Sequence, residues 1–245
     1  MKLITLNLWG GRIFEPLMVF LKKNSEETDV FCFQEIFNNP PNVKSTIQPD
    51  AKQNIYTNIE KVLEDYTGNT APQQDNEESL AIFIKNNLEI KESGETFVYR
   101  WKNAMENNDA STYGVNVQYA TLRHENKIYT ICNLHGHWTP NFKGDNPARL
   151  EQSKNIKLFL DSIKTPKILC GDFNVAPDTE SMAILETSMR NLVKEYLITS
   201  TRSHLYIKPV KFADYILVSP EIEIEDFKVF DDVVSDHLPL MLKFH

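Results

Sequence analysis

A chain of 245 residues with 41% apolar and 24% charged residues can bury a substantial core, and its composition excludes intrinsic disorder. The formal net charge of −8 argues against wholesale wrapping of duplex nucleic acid, whose affinity comes largely from Lys and Arg on phosphates, while leaving room for a local basic patch. No apolar stretch has membrane-spanning length and none near Met1 reads as a cleaved leader, so a soluble, cytoplasmic protein with no membrane anchor is expected.

In chain order, Lys2 to Trp9 reads as a strand that ends at Gly10-Gly11. Phe14, Leu17, Met18 and Leu21 then share one face of a helix over Phe14 to Asn24. Asp29 to Glu35 is a second buried strand that ends in two polar residues, Gln34 and Glu35. Asn38 to Pro49 is a proline-marked loop, and Ile55, Ile59, Val62, Leu63 and Tyr66 mark a second amphipathic helix. Strands follow at Leu80 to Lys85, Leu88 to Glu92, Phe97 to Trp101, Val115 to Arg123 and Ile128 to His135, with a hairpin turn at Glu125-Asn126-Lys127. Lys102 to Thr112 is an Asn-rich connection, either a solvated loop or a lid facing the substrate.

Past His135-Gly136-His137-Trp138, Asp145 or Asn146 can cap a helix that has Pro147 in its first turn and Ile156, Phe159, Leu160 and Ile163 on its buried face. Ile168 to Cys170 is a core strand leading into Gly171-Asp172-Phe173-Asn174, where Gly171 lets the backbone turn away sharply. Asp172 and Asn174 are two residues apart, so an extended chain directs both to one side. A short helix over Glu180 to Glu186, a polar loop over Thr199 to Pro209, and strands at Ala213 to Val218 and Leu240 to Phe244 complete the chain. Strands run from end to end without a break in composition, so residues 1–245 are read as one domain of two packed sheets with helices outside. Cys32, Cys132 and Cys170 lie in apolar runs with no paired spacing and read as buried free thiols in a reducing compartment.

Asn7, Glu35, His135, Asp172, Asn174, Asp214, Asp236 and His237 come from separate segments, most of them where an apolar strand ends. Polar residues at so many strand ends point to a site on one rim of the sheets. Glu35, Asp236 and Asn7 are oxygen donors suited to a hard cation such as Mg²⁺ or Mn²⁺, whereas only His135-x-His137 offers zinc a pair of nitrogens. Asp214 can hold the His237 imidazole in one tautomer.

Leu6-Asn7-Leu8-Trp9, Gln34-Glu35, Asn133-Leu134-His135, Gly171-Asp172-Phe173-Asn174, Asp214-Tyr215 and Ser235-Asp236-His237 resemble, in order, the motif set of the endonuclease/exonuclease/phosphatase superfamily. The resemblance implies an α+β fold, a four-layer α/β/β/α sandwich of two mixed sheets flanked by helices, and divalent-metal hydrolysis of phosphoesters. It assigns Glu35 to the metal, with Asn7 and Asp236 completing or supporting its shell. Asp172 would orient or deprotonate the attacking water, and Asn174 and His237 would donate to phosphoryl oxygens. Asp214 would orient His237, and His135 would face the scissile phosphate. In some deoxyribonuclease-like members a glutamate pairs with that histidine, and Glu78 stands in a comparable place.

Asp172 and His237 are rival candidates for the base, the expectation being that Asp172 takes the proton and His237 stays protonated. Arg202 is the first candidate to grip phosphate, with Arg149, Lys143, Lys208 and Lys211 as further options, and Tyr113 and Trp138 could stack on a ring. A nucleic acid, as single strand or end, is the leading substrate class. Small phosphorylated molecules such as inositol, sugar or nucleotide phosphates come next, then phospholipid head groups. The alternative from another class is a catalytically silent relative that only binds its ligand. No obligatory protein partner is evident.

Overall fold

The computed structural model describes residues 1–245. Twelve strands form two six-stranded sheets. The first contains β1 (Lys2–Asn7), β2 (Val30–Ile36), β3 (Tyr66–Pro72), β4 (Ser79–Lys85), β11 (Ile224–Val229) and β12 (Leu240–Phe244), in the order β11-β12-β1-β2-β4-β3. The second contains β5 (Glu89–Tyr99), β6 (Val115–His124), β7 (Lys127–His135), β8 (Lys167–Asp172), β9 (Arg190–Asn191) and β10 (Asp214–Val218), in the order β5-β6-β7-β8-β10-β9. Both are mixed: β1 and β2, and β7 and β8, pair in parallel, and the other neighbours are antiparallel.

Side-chain alternation explains the layering. In β1, Ile4 and Leu6 join a cluster that also takes in Leu17 and Leu21 of helix α1 (Phe14–Ser25) and Ile55 and Ile59 of α2 (Ile55–Val62). Leu3, one residue out of phase, joins the larger cluster with Ile131 and Leu169 of the other sheet. That second cluster continues beneath α3 (Pro147–Ser162), α4 (Glu180–Glu186) and α5 (Leu192–Glu195). Each central strand is therefore buried on both faces, which is why these segments read as near-continuous apolar runs. The four-layer sandwich expected from the sequence is the fold observed. No helix is long and apolar enough to cross a membrane.

Several expectations need correcting at element level. Tyr66 does not extend α2, which ends at Val62; it opens β3, and its hydroxyl donates to the Thr28 carbonyl. That strand, Tyr-Thr-Gly-Asn-Thr-Ala-Pro, lies at a sheet edge with little to bury, so it lacks an apolar signature. The same reason hides β11, also an edge strand, and β9 is only two residues long. Leu88 to Glu92 and Phe97 to Trp101 belong to one strand, β5, whose register slips at Ile90/Glu92 and Phe97/Tyr99. The hairpin at Glu125-Asn126 is present between β6 and β7. Asn146 caps α3, accepting from the Arg149 amide at 2.8 Å, while Asp145 accepts from the amides of Glu180 and Ser181 at the start of α4.

Candidate active site

Strand register assembles the centre. His135 on β7 pairs with Asp172 on β8, and Asp172 with Asp214 on β10, so three polar termini stand in one row. On the facing sheet, Asn7 of β1 pairs with Gln34 of β2. Asn7 shares the inward phase of Leu3 and Thr5, which sends its side chain across the gap. Its Nδ2 donates to Glu35 Oε1 at 2.9 Å and to Asp172 Oδ2 at 3.1 Å, joining the two sheets at the rim. Below it, Gln34 Nε2 donates to Asn133 Oδ1 at 2.7 Å, and Asn133 Nδ2 donates to the Phe33 and Ala81 carbonyls. A buried polar layer thus fixes the sheets to each other directly beneath the site.

Gly171 does not turn the chain away as expected; it lies inside β8. A Cβ there would sit 2.1 Å from the Leu134 carbonyl oxygen, and φ is +129°. Only glycine permits this approach of β8 to β7. Nor are Asp172 and Asn174 placed by an extended chain. The Asn174 amide donates to Asp172 Oδ1 at 2.8 Å, and Asn174 has φ +58°. Glu35 also has positive φ, +55°. A glutamate held there is strained, and such strain concentrates at functional sites.

A cleft of about 920 Å³ opens over this rim. Glu35, Glu78, Tyr113, His135, Trp138, Asp172, Asn174, Arg202, Asp236 and His237 all line it. Asn7 and Asp214 stand one layer behind. Arg149 does not face the cleft: it is wholly buried, and its guanidinium donates to the carbonyls of His137, Phe142 and Gly144 and to Thr139 Oγ1. It clamps the loop over residues 137–144, so its place as a substrate contact is a misreading. A buried guanidinium satisfied by carbonyls has no sequence signature that separates it from a surface one.

Sequence reasoning also missed Gln48, whose Nε2 donates to Glu35 Oε2 at 2.9 Å and to Glu78 Oε2 at 2.8 Å. Glu77 holds that loop in place by accepting from the Thr46 amide and hydroxyl. Gln48 sits in an irregular, proline-marked segment, where no periodicity could have singled it out.

Two histidines meet Asp172 from different sides. His135 Nδ1 lies 3.1 Å from Glu78 Oε1, and its Nε2 lies 3.9 Å from Asp172 Oδ2. Burial opposes its charge, but Glu78 above all, with Asp172 and Glu35, pushes it up to about 9. His237 Nδ1 lies 2.7 Å from Asp214 Oδ1, whose other oxygen accepts from Thr201 Oγ1 at 3.0 Å. Its Nε2 faces the Arg202 guanidinium. A guanidinium can only donate, so Nε2 accepts and the ring proton sits on Nδ1. The same Nε2 lies 3.6 Å from Asp172 Oδ2 and 3.7 Å from Asp236 Oδ1. Burial alone would raise the Asp172 carboxyl, but the cations Lys143, Arg202 and His135 hold it below the ordinary carboxylate range.

Ligand atoms of Asp172, Asp214 and His237 lie within 4.8 Å of one another, close enough for an ion. Both Asp214 oxygens, however, are already engaged by His237 and Thr201. Glu35 offers the better match to a hard cation: it is half-buried, its hydrogen-bond donors are the neutral amides of Asn7 and Gln48, and no basic side chain pairs with it. Asp236 faces the same cleft, with Arg202 Nη1 3.1 Å from its Oδ2.

The fold and the site together define a phosphoesterase. Residues 4–237 match the Endonuclease/Exonuclease/phosphatase family, and the chain belongs to it. Among similar solved structures is a family member from Bacteroides thetaiotaomicron, 16% identical, with a TM-score of 0.77 over 100% of this chain and 94% of that one. A mannosyl-6-phosphatase from the same organism is 16% identical, with a TM-score of 0.76 over 100% and 99%. The human nocturnin catalytic domain with bound sulfate is 17% identical, with a TM-score of 0.69 over 100% and 94%. At these identities the likeness speaks for the fold. None of the curated proteins matches the chain by sequence.

Proposed function

We propose that this protein is a Mg²⁺- or Mn²⁺-dependent phosphoester hydrolase in which the two carboxylate–histidine pairs divide the acid and base roles. The observation that carries the reading is the row His135, Asp172, Asp214, with His237 closing it and Glu35 across the gap. Glu35 and Asp236 would hold the cation, with Asn7 fixing Glu35 from behind. Such a cation neutralises charge on phosphoryl oxygens and makes the phosphorus more electrophilic.

The chain's own groups supply the rest. Asp172, kept ionised, fixes the orientation of the attacking water, and its depressed pKa makes it a weak base. His237, with a lone pair on Nε2 and its other nitrogen steadied by Asp214, is better suited to accept the water proton. His135, kept as an imidazolium by Glu78, donates to the leaving oxygen. This shifts the base from Asp172, the expectation from sequence, to His237.

The aromatic walls Trp138, Tyr113 and Phe142 suit a base or sugar ring, which supports a nucleic-acid strand or end, or a nucleotide, as substrate. A small phosphorylated molecule is the second reading, favoured by the bounded cleft and the acidic surface. The buried free thiols Cys32, Cys132 and Cys170 support residence in a reducing compartment, the cytoplasm.

The test is a hydrolysis screen with Mg²⁺, Mn²⁺ or chelator. It spans single- and double-stranded DNA, RNA, nucleotide, sugar and inositol phosphates, and sphingomyelin, with Glu35→Ala as blank. Turnover that requires the metal and Glu35 is expected; binding without turnover of any phosphoester would return the protein to the silent class.

A further inference from the structure

Lys143 is the unusual group at this centre. Its loop is fixed from both ends: Arg149 holds the carbonyls of Phe142 and Gly144, and the Ala176 amide donates to the Lys143 carbonyl at 2.7 Å. The ammonium so delivered donates to Asn174 Oδ1. Asn174 cannot turn its amide around, because Nδ2 donates to the Gly136 carbonyl at 2.9 Å. The position expected to offer phosphate an amide N–H therefore presents a cation instead. Arg202 approaches Asp172 from the His237 side, with Nη2 3.8 Å from Asp172 Oδ2. It is buried, rests over the Tyr206 ring at 4.3 Å, and its Nε has no partner. Its backbone is tied down by the bridge to His237 and by the Ser203 amide donating to the Asp236 carbonyl.

An internal phosphodiester brings one negative charge, two non-bridging oxygens and a second ester arm that must leave the site. A terminal phosphate brings two charges and three non-bridging oxygens, with no second arm. The chain sets two fixed cations beside Asp172, one of them with a donor unused, in addition to the His135 imidazolium. Resting on the phosphoesterase reading above, we infer that Lys143 and Arg202 form a subsite for a terminal phosphate monoester, and that Lys143 selects it over a diester. Water adds to phosphorus, the ester P–O bond breaks, and a proton passes to the leaving oxygen, giving the alcohol and inorganic phosphate. The exposed apolar rim of Trp138, Phe142 and Ile207 is left for the organic part of the substrate.

The experiment compares kcat/KM for p-nitrophenyl phosphate and bis(p-nitrophenyl) phosphate with Mg²⁺ or Mn²⁺, in the natural protein, Lys143→Met and Lys143→Arg. The natural protein should prefer the monoester. Lys143→Met should cost on the order of 10²-fold on the monoester, the scale of losing one oxyanion donor, and roughly tenfold less than that on the diester. Inhibition by inorganic phosphate should weaken about tenfold in the same variant, as fits the loss of one charge-assisted contact. Lys143→Arg, which keeps the charge, should recover much of both. Oligonucleotides with a 5′ or 3′ phosphate, run beside the small ester, tell whether the terminal phosphate belongs to a chain end or a free metabolite. A natural protein that prefers the diester, or a Lys143→Met protein that loses both activities equally, would overturn the subsite alone. If neither ester is hydrolysed with either metal, the phosphoesterase reading falls and takes the subsite with it.

Discussion

The Glu78–His135 and Asp214–His237 pairs each set a carboxylate against an imidazole, at 3.1 Å and 2.7 Å, and flank one carboxylate, Asp172. On the proposed mechanism they take different protonation states, set by what meets the second nitrogen. His135 turns Nε2 toward Asp172, so carboxylates lie on both sides and the cation is favoured. His237 Nε2 also lies 3.6 Å from Asp172 Oδ2, but it meets the Arg202 guanidinium directly, and against that donor it must accept. A carboxylate partner alone does not make a histidine an acid or a base; the group opposite decides.

Four changes test the contrast, in descending order of effect. Asp214→Asn should lower kcat most, by roughly 10³-fold or more, since an amide there allows the wrong tautomer of His237. Steady-state rates beside the natural protein at one pH check it. Asp172→Asn removes the shared carboxylate and should cost on the order of 10²-fold; if it leaves activity intact, water orientation does not depend on Asp172. Glu78→Gln should cost about 10- to 100-fold. Gln48→Ala, which releases Glu78 and Glu35 without removing a charge, should cost only a few-fold, within the 0.5–1.5 kcal/mol or so typical of one hydrogen bond.

The Glu78–His135 pair also has a thermodynamic signature. Its folded-state value, about 9, lies above the ordinary 6.5. The pair therefore adds stability that is fully present below the unfolded pKa and is lost as pH rises through about 9. Thermal melts of metal-free protein should fall across that window, and Glu78→Gln should flatten the slope. A slope unchanged by the substitution would place its source elsewhere.

The strand-borne part of the centre was readable in the sequence. Asn7, Glu35, His135 and Asp172 each stand at the end of an apolar run and Asp214 opens one, and burial on both faces makes such runs visible. Even Glu78, a faint signal before Ser79-Leu80-Ala81, lands on its histidine. The loop-borne part was legible in type but not in role. Arg149 and Lys143 stood together as candidate phosphate grips, yet one is a buried clamp and the other the group it delivers. Nothing local distinguishes them, because both roles depend on carbonyls and an amide from residues 137 to 176. The edge strands β3 and β11 were hidden for the opposite reason, having little to bury. The contact between His237 and Arg202, thirty-five positions away, emerges only from the fold.

The most direct test of the divided roles is a ¹⁵N-resolved titration of the histidine rings in metal-free protein. His135 should hold both ring protons through neutral pH and lose one near pH 9, while the His237 ring should carry its proton on Nδ1, facing Asp214, with Nε2 bare against Arg202. Two rings in the same state, or the two patterns exchanged, would contradict the account.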